Sequence, residues 1–515
     1  MGSVCRPIAG IVPWPGSRQI NGVGETAITG KSLPVVDPLL AFDKLVGRSV
    51  ERLLRSHYAR RLRRIGWEHA LAPPTSDLWA SGEPPPRTGC KVEVLIDGAE
   101  ALPRFETELR KARSHVHLAG WFMTPDFGLV REPVRVELRT LLAELAERIP
   151  VRVLVWAGSP LPLFRPDRKD VARTLHTLTS GTKIEAVADS KERPMHCHHE
   201  KIAVIDEDVA LVGGIDLTTE SGDRFDTNAH PARGELGWHD AACLLRGPVV
   251  ADVAAHFAQR WHELTGDTLP EPSSSPPAGD VEVQAVRTVP EHVYESVRDG
   301  DFRILESYVR ALRSAQRLVY LENQFLWSGE VVQILLDKIV QPPSDDFRLL
   351  IVLPANPNDG SDDTRGQLAD LIEADNGAGR VLACTLRALG ERGPCPIYVH
   401  AKIGIVDDRW LTLGSANLNE HSLFNDTEMN VVTCNAELAR ATRVRLWAEH
   451  LERREEEVSA DAVRVVDELW KPIAEKQYER RQAGLPPTHR LCLLPGVSRR
   501  TRRLLGPLQG LLVDG

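Results

Sequence analysis

A chain that carries the same segments twice, in the same order and at nearly constant separation, has few architectures open to it. Ala112-Arg113-Ser114-His115-Val116-His117-Leu118 returns 203 residues later as Ala315-Gln316-Arg317-Leu318-Val319-Tyr320-Leu321. Val151-Arg152-Val153-Leu154-Val155 returns 196 residues later as Phe347-Arg348-Leu349-Leu350-Ile351. In the first pair a helical segment feeds a short β-rich run. Short apolar strands alternating with helical segments argue for α/β layering. The repeat therefore predicts an α/β fold of two similar lobes, each a mixed β-sheet flanked by helices. The site is expected at the lobe interface, on a pseudo-twofold axis.

Breakers divide the chain. Residues 1–88 read as an N-terminal extension that ends in Pro84-Pro85-Pro86. Within it, Arg48–Ile65 has Val50, Leu53, Leu54, Tyr58, Leu62 and Ile65 at helical spacing, with seven arginines against Glu51. A basic amphipathic helix of this kind suits either an anionic membrane or a solvated face on the protein body. Residues 89–264 form the first lobe and 281–450 the second. Between them, 265–280 is a Pro/Ser-rich linker. Residues 451–515 form a helical and basic C-terminal segment, with Arg499, Arg500, Arg502 and Arg503 just before Leu504-Leu505-Gly506-Pro507-Leu508.

Composition excludes several classes. With 42% hydrophobic and 26% charged residues the chain is an ordinary globular protein, so disorder is not its dominant state. No apolar run approaches the roughly 18 to 20 residues that a spanning helix needs. The first residues hold prolines and no continuous apolar core, unlike a secretory signal. The eight cysteines include no CxxC pair, which fits reduced thiols and a cytoplasmic setting. A net charge of −9 does not favour nucleic acid as partner.

The third repeated pair carries the chemistry. His199-Glu200-Lys201, with Asp206, is followed by Gly213-Gly214-Ile215-Asp216. His400-Ala401-Lys402, with Asp407, is followed by Gly414-Ser415-Ala416-Asn417, an offset of 201. One HxKxxxxD match is weak, but two at equivalent places in a duplication are strong. Residues i and i+2 of a strand share a face, so each histidine projects with its lysine. Asp206 and Asp407 fall on the opposite face, in polar stretches resembling hairpin turns. They are expected to support the motif rather than touch substrate. The glycines ending the returning strand allow close backbone approach to a ligand.

These residues resemble the phospholipase D superfamily, whose mark is a duplicated HKD motif. The resemblance covers about residues 90–450. It is greatest to the phosphatidylcholine-hydrolysing branch, through His198-His199-Glu200-Lys201, Gly213-Gly214-Ile215-Asp216, Trp238-His239-Asp240, Val319-Tyr320-Leu321-Glu322-Asn323-Gln324-Phe325 and Gly414-Ser415-Ala416-Asn417-Leu418-Asn419. His421 departs from it, since relatives often carry arginine there. No segment resembles the accessory calcium-binding or lipid-binding domains of larger relatives.

The resemblance implies a two-step transfer at phosphorus. One histidine attacks to give a phosphohistidine, and the other protonates the leaving alcohol and later deprotonates water or an alcohol. By analogy His199 is the nucleophile and His400 the acid/base, although the near-symmetric motifs do not themselves assign the roles. The catalytic set is then His199, Lys201, Asp206, His400, Lys402 and Asp407. Lys201 and Lys402 offset charge on the phosphoryl oxygens, and Asn417, Ser415 and Gly214 are the substrate-binding candidates. A poised histidine needs an acceptor on its other nitrogen. Asp240, 41 residues after His199, and Glu428, 28 after His400, are the candidate orienting carboxylates, each reaching to the other half.

No cofactor is expected and no metal. In His196-Cys197-His198-His199 adjacent side chains alternate in direction, so at most half of them converge. Glu322-Asn323-Gln324 borders the site or serves structural hydrogen bonding, and Trp121 and Trp327 are core residues before they are pocket walls. The expected partner is a phospholipid at a membrane surface, approached peripherally on the inner face. A monomer is expected, since one chain supplies both motifs. The expected activity is hydrolysis of a glycerophospholipid, phosphatidylcholine first, to phosphatidic acid and free headgroup, with transfer to alcohols. The alternatives are a cardiolipin synthase-like phosphatidyltransferase, a nuclease of the same superfamily, and a catalytically dead lipid-binding protein.

Overall fold

Apolar runs such as Val151–Trp156 and Arg348–Val352 are too short for a buried helix and rich in β-branched and leucine residues, and both form central strands. In a computed structural model the chain is described over residues 38–74, 77–162, 164–193, 195–355, 361–390 and 393–494. The first sheet has the strand order Arg87–Ile96, Ala241–Arg246, Val209–Gly213, Ile202–Ile205, Val116–Gly120, Val151–Trp156, Glu185–Asp189. The second has the order Val281–Val289, Glu428–Thr433, Trp410–Gly414, Ile403–Val406, Leu318–Glu322, Arg348–Val352, Val381–Gly390. In both, the first four pairings are antiparallel and the last two parallel. The fold is mixed α/β and duplicated.

Parallel neighbours need a crossover, and a helix supplies each one. Leu138–Ala146 and Arg168–Thr179 serve the first sheet, Gly329–Val340 and Ser361–Asp375 the second. Asp167 caps the second of these, accepting from the amides of Lys169 and Asp170. The sheets join at their edges, where Arg87 and Cys90 pair with Val283 and Val281. One apolar cluster runs through both halves, from Val212, Leu245 and Phe257 to Leu411, Met429 and Trp447. The lobes share a core rather than merely touching.

The helix Val249–Thr265 stops at Gly266, whose φ of 80° is the left-handed C-cap geometry that glycine adopts freely. The Pro/Ser run after it forms neither helix nor strand. It is docked nonetheless, with Ser275 Oγ bonded to Glu207 O and Ala278 N donating to Gly89 O at 2.8 Å.

The basic helix spans Pro38–Arg64. Tyr58 stacks on Phe424 with centroids 4.2 Å apart, and Leu62 is buried. Arg61 is buried too, donating to Glu291 at 2.7 Å, Asn425 at 2.7 Å and Phe424 O at 2.8 Å. Arg55 bonds Gln333 at 3.0 Å. Two arginines of this helix are therefore turned into the second lobe. Arg52, Arg60, Arg63 and Arg64 are exposed. None of the described cysteines forms a disulfide. No described helix is long and apolar enough to cross a membrane. The basic cluster Arg499–Arg503 lies outside the described residues.

Candidate active site

Two backbone crossings build the seam between the lobes. Thr427 O accepts from the amides of His199 at 2.9 Å and Glu200 at 3.1 Å. In mirrored fashion, His239 O accepts from His400 at 2.8 Å and Ala401 at 3.1 Å. The strand Gly237–His239 also runs parallel to Ile397–Val399. The residue after each acceptor carbonyl is thereby set against the imidazole of the opposite lobe. His199 Nδ1 lies 3.0 Å from Glu428 Oε1, and His400 Nδ1 lies 2.6 Å from Asp240 Oδ2. With Nδ1 donating to a carboxylate, the remote nitrogen of each ring is left as the reactive one. The rings face one another with centroids 6.5 Å apart and planes at 67°.

The lysines flank the pair. Lys201 Nζ donates to His199 O at 2.6 Å and lies 3.2 Å from Asp216 Oδ2. Lys402 Nζ donates to His400 O and, at 3.3 Å, to Gln324 Oε1. Asn417 occupies the position equivalent to Asp216. Its Nδ2 is 3.4 Å from Gln324 Oε1, while its buried Oδ1 has no hydrogen-bond partner. Lys201 is thus paired with a carboxylate, whereas Lys402 bonds an amide and has Asp240 as its strongest charged neighbour.

Several expected site residues sit elsewhere. Asp206 accepts from the amides of Arg113 at 3.0 Å, Ser114 at 2.7 Å and His115 at 3.2 Å. Asp407 accepts from those of Gln316, Arg317 and Leu318, each within 2.8 Å. Both lie at hairpin turns with φ of 53° and 52°, a region aspartate tolerates better than most residues. They fix the strand ends that carry the motifs. The Ser415 hydroxyl donates to Glu428 Oε2 and accepts from Met429 N at 3.1 Å. Gly214 makes room for the Asp240 side chain. A Cβ there would come 2.2 Å from Asp240 Oδ1.

A family model described as "Cardiolipin synthase, PLD-like domain" matches residues 308–449. The chain is 25% identical over 480 residues to Phospholipase D A of Dictyostelium discoideum, covering 71% of this chain and 36% of that protein. It is 23% identical over 478 residues to Phospholipase D2 of Bos taurus, covering 69% and 50%. The chain is similar to members of the phospholipase D superfamily. It spans about a third to a half of the length of these curated relatives. The structure of a phosphatidylserine synthase from Haemophilus influenzae Rd KW20 aligns with a TM-score of 0.47 at 13% identity, over 75% of this chain and 89% of that one.

Electrostatics of the site are governed by burial. Burial pushes Asp240 up to about 6, against the opposing pull of Lys402. It pushes Glu428 up to about 8, although Lys201 and the hydroxyls of Ser415 and Ser422 act the other way. It brings Lys402 down to about 7 despite Asp240. His400 is held well below its ordinary value by burial, then by Lys402 and Lys201. Burial thus favours the neutral forms of Asp240, Glu428, Lys402 and His400. A phosphate monoanion opposes this and favours the charged forms of Lys402 and His400.

Further supports surround the pair, and of these Arg224 and Ser422 carried no sequence signal. Trp238 packs on His400 with centroids 4.3 Å apart, and the Arg224 guanidinium lies 3.5 Å over the Trp238 ring. Ser422 Oγ donates to Glu428 Oε1 at 2.6 Å. Gln324 joins Lys402 to Asn417, whereas Glu322 sits deeper, accepting from His239 at 2.8 Å and His450 at 3.0 Å. Trp238 adjoins a repeat motif and was open to detection. Arg224 lies in a first-lobe loop without a counterpart, so no pattern marks it.

Proposed function

We propose that the chain is a phospholipase D that cleaves the terminal phosphodiester of a glycerophospholipid, phosphatidylcholine first, to phosphatidic acid and free headgroup. The observation that carries this reading is the facing pair His199 and His400, 6.5 Å apart and each backed by a carboxylate of the other lobe. That gap admits a tetrahedral phosphate with one ring on each side, the in-line geometry that displacement requires.

In the first step the nitrogen of His199 remote from Glu428 attacks phosphorus. The P–N bond forms as the P–O bond to the headgroup breaks. His400, as the imidazolium favoured once the phosphate is bound, gives the proton on its remote nitrogen to the departing oxygen. In the second step water or an alcohol attacks phosphorus, His400 takes its proton, and the P–N bond breaks. Lys201, Lys402 and Asn417 meet the phosphoryl oxygens, where charge builds in both steps. Asp240 and Glu428 hold the rings and their tautomers. Asp206 and Asp407 act at a distance from phosphorus, by holding the strand ends that carry the motifs.

Docking on a lipid surface is proposed to be peripheral, through the exposed Arg52, Arg60, Arg63 and Arg64, at roughly 1 kcal/mol per charge near an anionic surface. The proposed setting is the cytoplasmic side of the membrane. A monomer suffices because one chain supplies both imidazoles. The deciding experiment is incubation with mixed-headgroup vesicles, with and without ethanol, followed by lipid analysis. Phosphatidic acid, and phosphatidylethanol when ethanol is present, supports the proposal. Cardiolipin formed from phosphatidylglycerol points instead to a phosphatidyltransferase, and DNA cleavage without lipid turnover to a nuclease.

A further inference from the structure

Three side chains converge beside the His199 arm of the seam without entering the reaction. His196 Nδ1 lies 2.9 Å from His421 Nδ1 and 3.3 Å from Asp426 Oδ1. One ligating atom from each residue falls within 4.8 Å of the other two. His421 and Asp426 are buried, and the His196 side chain is 15% exposed. Asp426 Oδ1 also accepts from Cys197 N at 2.9 Å, while its buried Oδ2 has no hydrogen-bond partner. Two Nδ1 atoms in contact need a proton between them to avoid opposed lone pairs. A cation accepts both lone pairs at once.

We propose that His196, His421 and Asp426 bind one divalent first-row transition cation, Zn2+ foremost. Nitrogen and oxygen ligands about 2.0 to 2.2 Å from zinc stand roughly 3.3 Å from each other in a tetrahedral site. The observed separations of 2.9 and 3.3 Å need only small adjustment. Two imidazoles and a carboxylate suit zinc and its neighbours better than calcium or magnesium, which prefer all-oxygen sets. A fourth position stays available to water.

The ligands interleave with the supports of His199. His196 precedes it by three residues, His421 adjoins Ser422, and Asp426 precedes Glu428 by two. A bound cation therefore ties a first-lobe loop to the short helix Glu420–Phe424 and its following turn. The equivalent positions on the other arm hold Ile397 and Trp238, which are not ligands, so the duplication does not require this cluster. Neither reacting imidazole belongs to it, and its binding is read without turnover.

The test is calorimetric titration of the full chain, freed of metal by a chelator, with Zn2+, and absorption spectroscopy with Co2+. One equivalent should bind. Co2+ should give visible ligand-field bands without the near-ultraviolet band of a thiolate. His196→Ala removes a partly exposed ligand, and Asp426→Asn keeps the bond from Cys197. Each should weaken binding by roughly tenfold or more, with an unaltered circular dichroism spectrum. Binding should also weaken below about pH 6, where imidazoles take up protons. Absence of stoichiometric binding overturns the proposal. So does binding that survives both substitutions, or binding lost instead in His450→Gln, which would assign the cation to the deeper cluster of His239, Glu322 and His450.

Discussion

Asp240 Oδ2 stands 2.6 Å from the Nδ1 of His400, a residue 160 positions later and in the other lobe. The contact exists because His239 O binds the amides of His400 and Ala401, which fixes the approach of the next side chain. Glu428 meets His199 by the same device through Thr427. Each imidazole is thus oriented by the lobe to which it does not belong. Separating the lobes disarms both rings together.

Asp240→Asn should lower kcat by about 10^3- to 10^4-fold, since an amide favours the wrong tautomer of His400. KM should change little, because Asp240 contacts the ring and not the substrate. Steady-state kinetics on short-chain phosphatidylcholine checks this through the split between kcat and KM.

His199→Ala and His400→Ala should each abolish turnover, and the double variant should be no worse than either, because the two act as one unit. Lys201→Ala and Lys402→Ala should lower kcat by about 10^2-fold or more through lost charge stabilisation. Single-turnover assays of the five proteins test the pattern, and additive losses would contradict it.

Glu428 couples stability to pH. Its folded-state value is raised from 4.5 to about 8 by burial, so between those values the unfolded chain releases a proton that the folded chain keeps. Stability contributed by this group is present below about 4.5 and is lost as pH rises towards 8. Glu428→Gln removes the titration. Thermal melts should show the Tm of the variant gaining on wild type from pH 5 to pH 8, and a constant difference would count against the assignment.

Arg61 and the exposed arginines of the same helix should behave differently. Arg61→Ala leaves buried Glu291 and Asn425 short of a partner and should cost about 3 kcal/mol in denaturant unfolding. Replacing Arg60, Arg63 and Arg64 by glutamine should leave stability within about 0.5 kcal/mol. The same change should reduce sedimentation with anionic vesicles at low salt. Equal sedimentation would remove this helix from membrane docking.

The two-lobed fold could be read from the sequence because each copied segment is a local unit, and local units carry their own strand and helix patterns. Asp240 and Glu428 were within reach for the same reason, as acids at matched strand ends. The directions of side chains were less accessible. Ser415 and Gly214 occupy motif positions that suggest substrate, yet one hydroxyl serves Glu428 and the other position is empty to admit Asp240. The pairing of His196 with His421 spans 225 residues and has no echo in the repeat, so only the folded seam brings it together. Arg61 looked like one charge among many on a basic face, and a single turn of helix decides that it alone is buried among acceptors.

The covalent role of His199 has a stereochemical signature. Two in-line displacements, first by His199 and then by the acceptor, invert phosphorus twice. A phospholipid made chiral at phosphorus, turned over with ethanol as acceptor, should therefore give phosphatidylethanol with retained configuration. Inverted product would mean direct attack by the alcohol, with both histidines confined to proton transfer, and would contradict a phosphohistidine between the lobes.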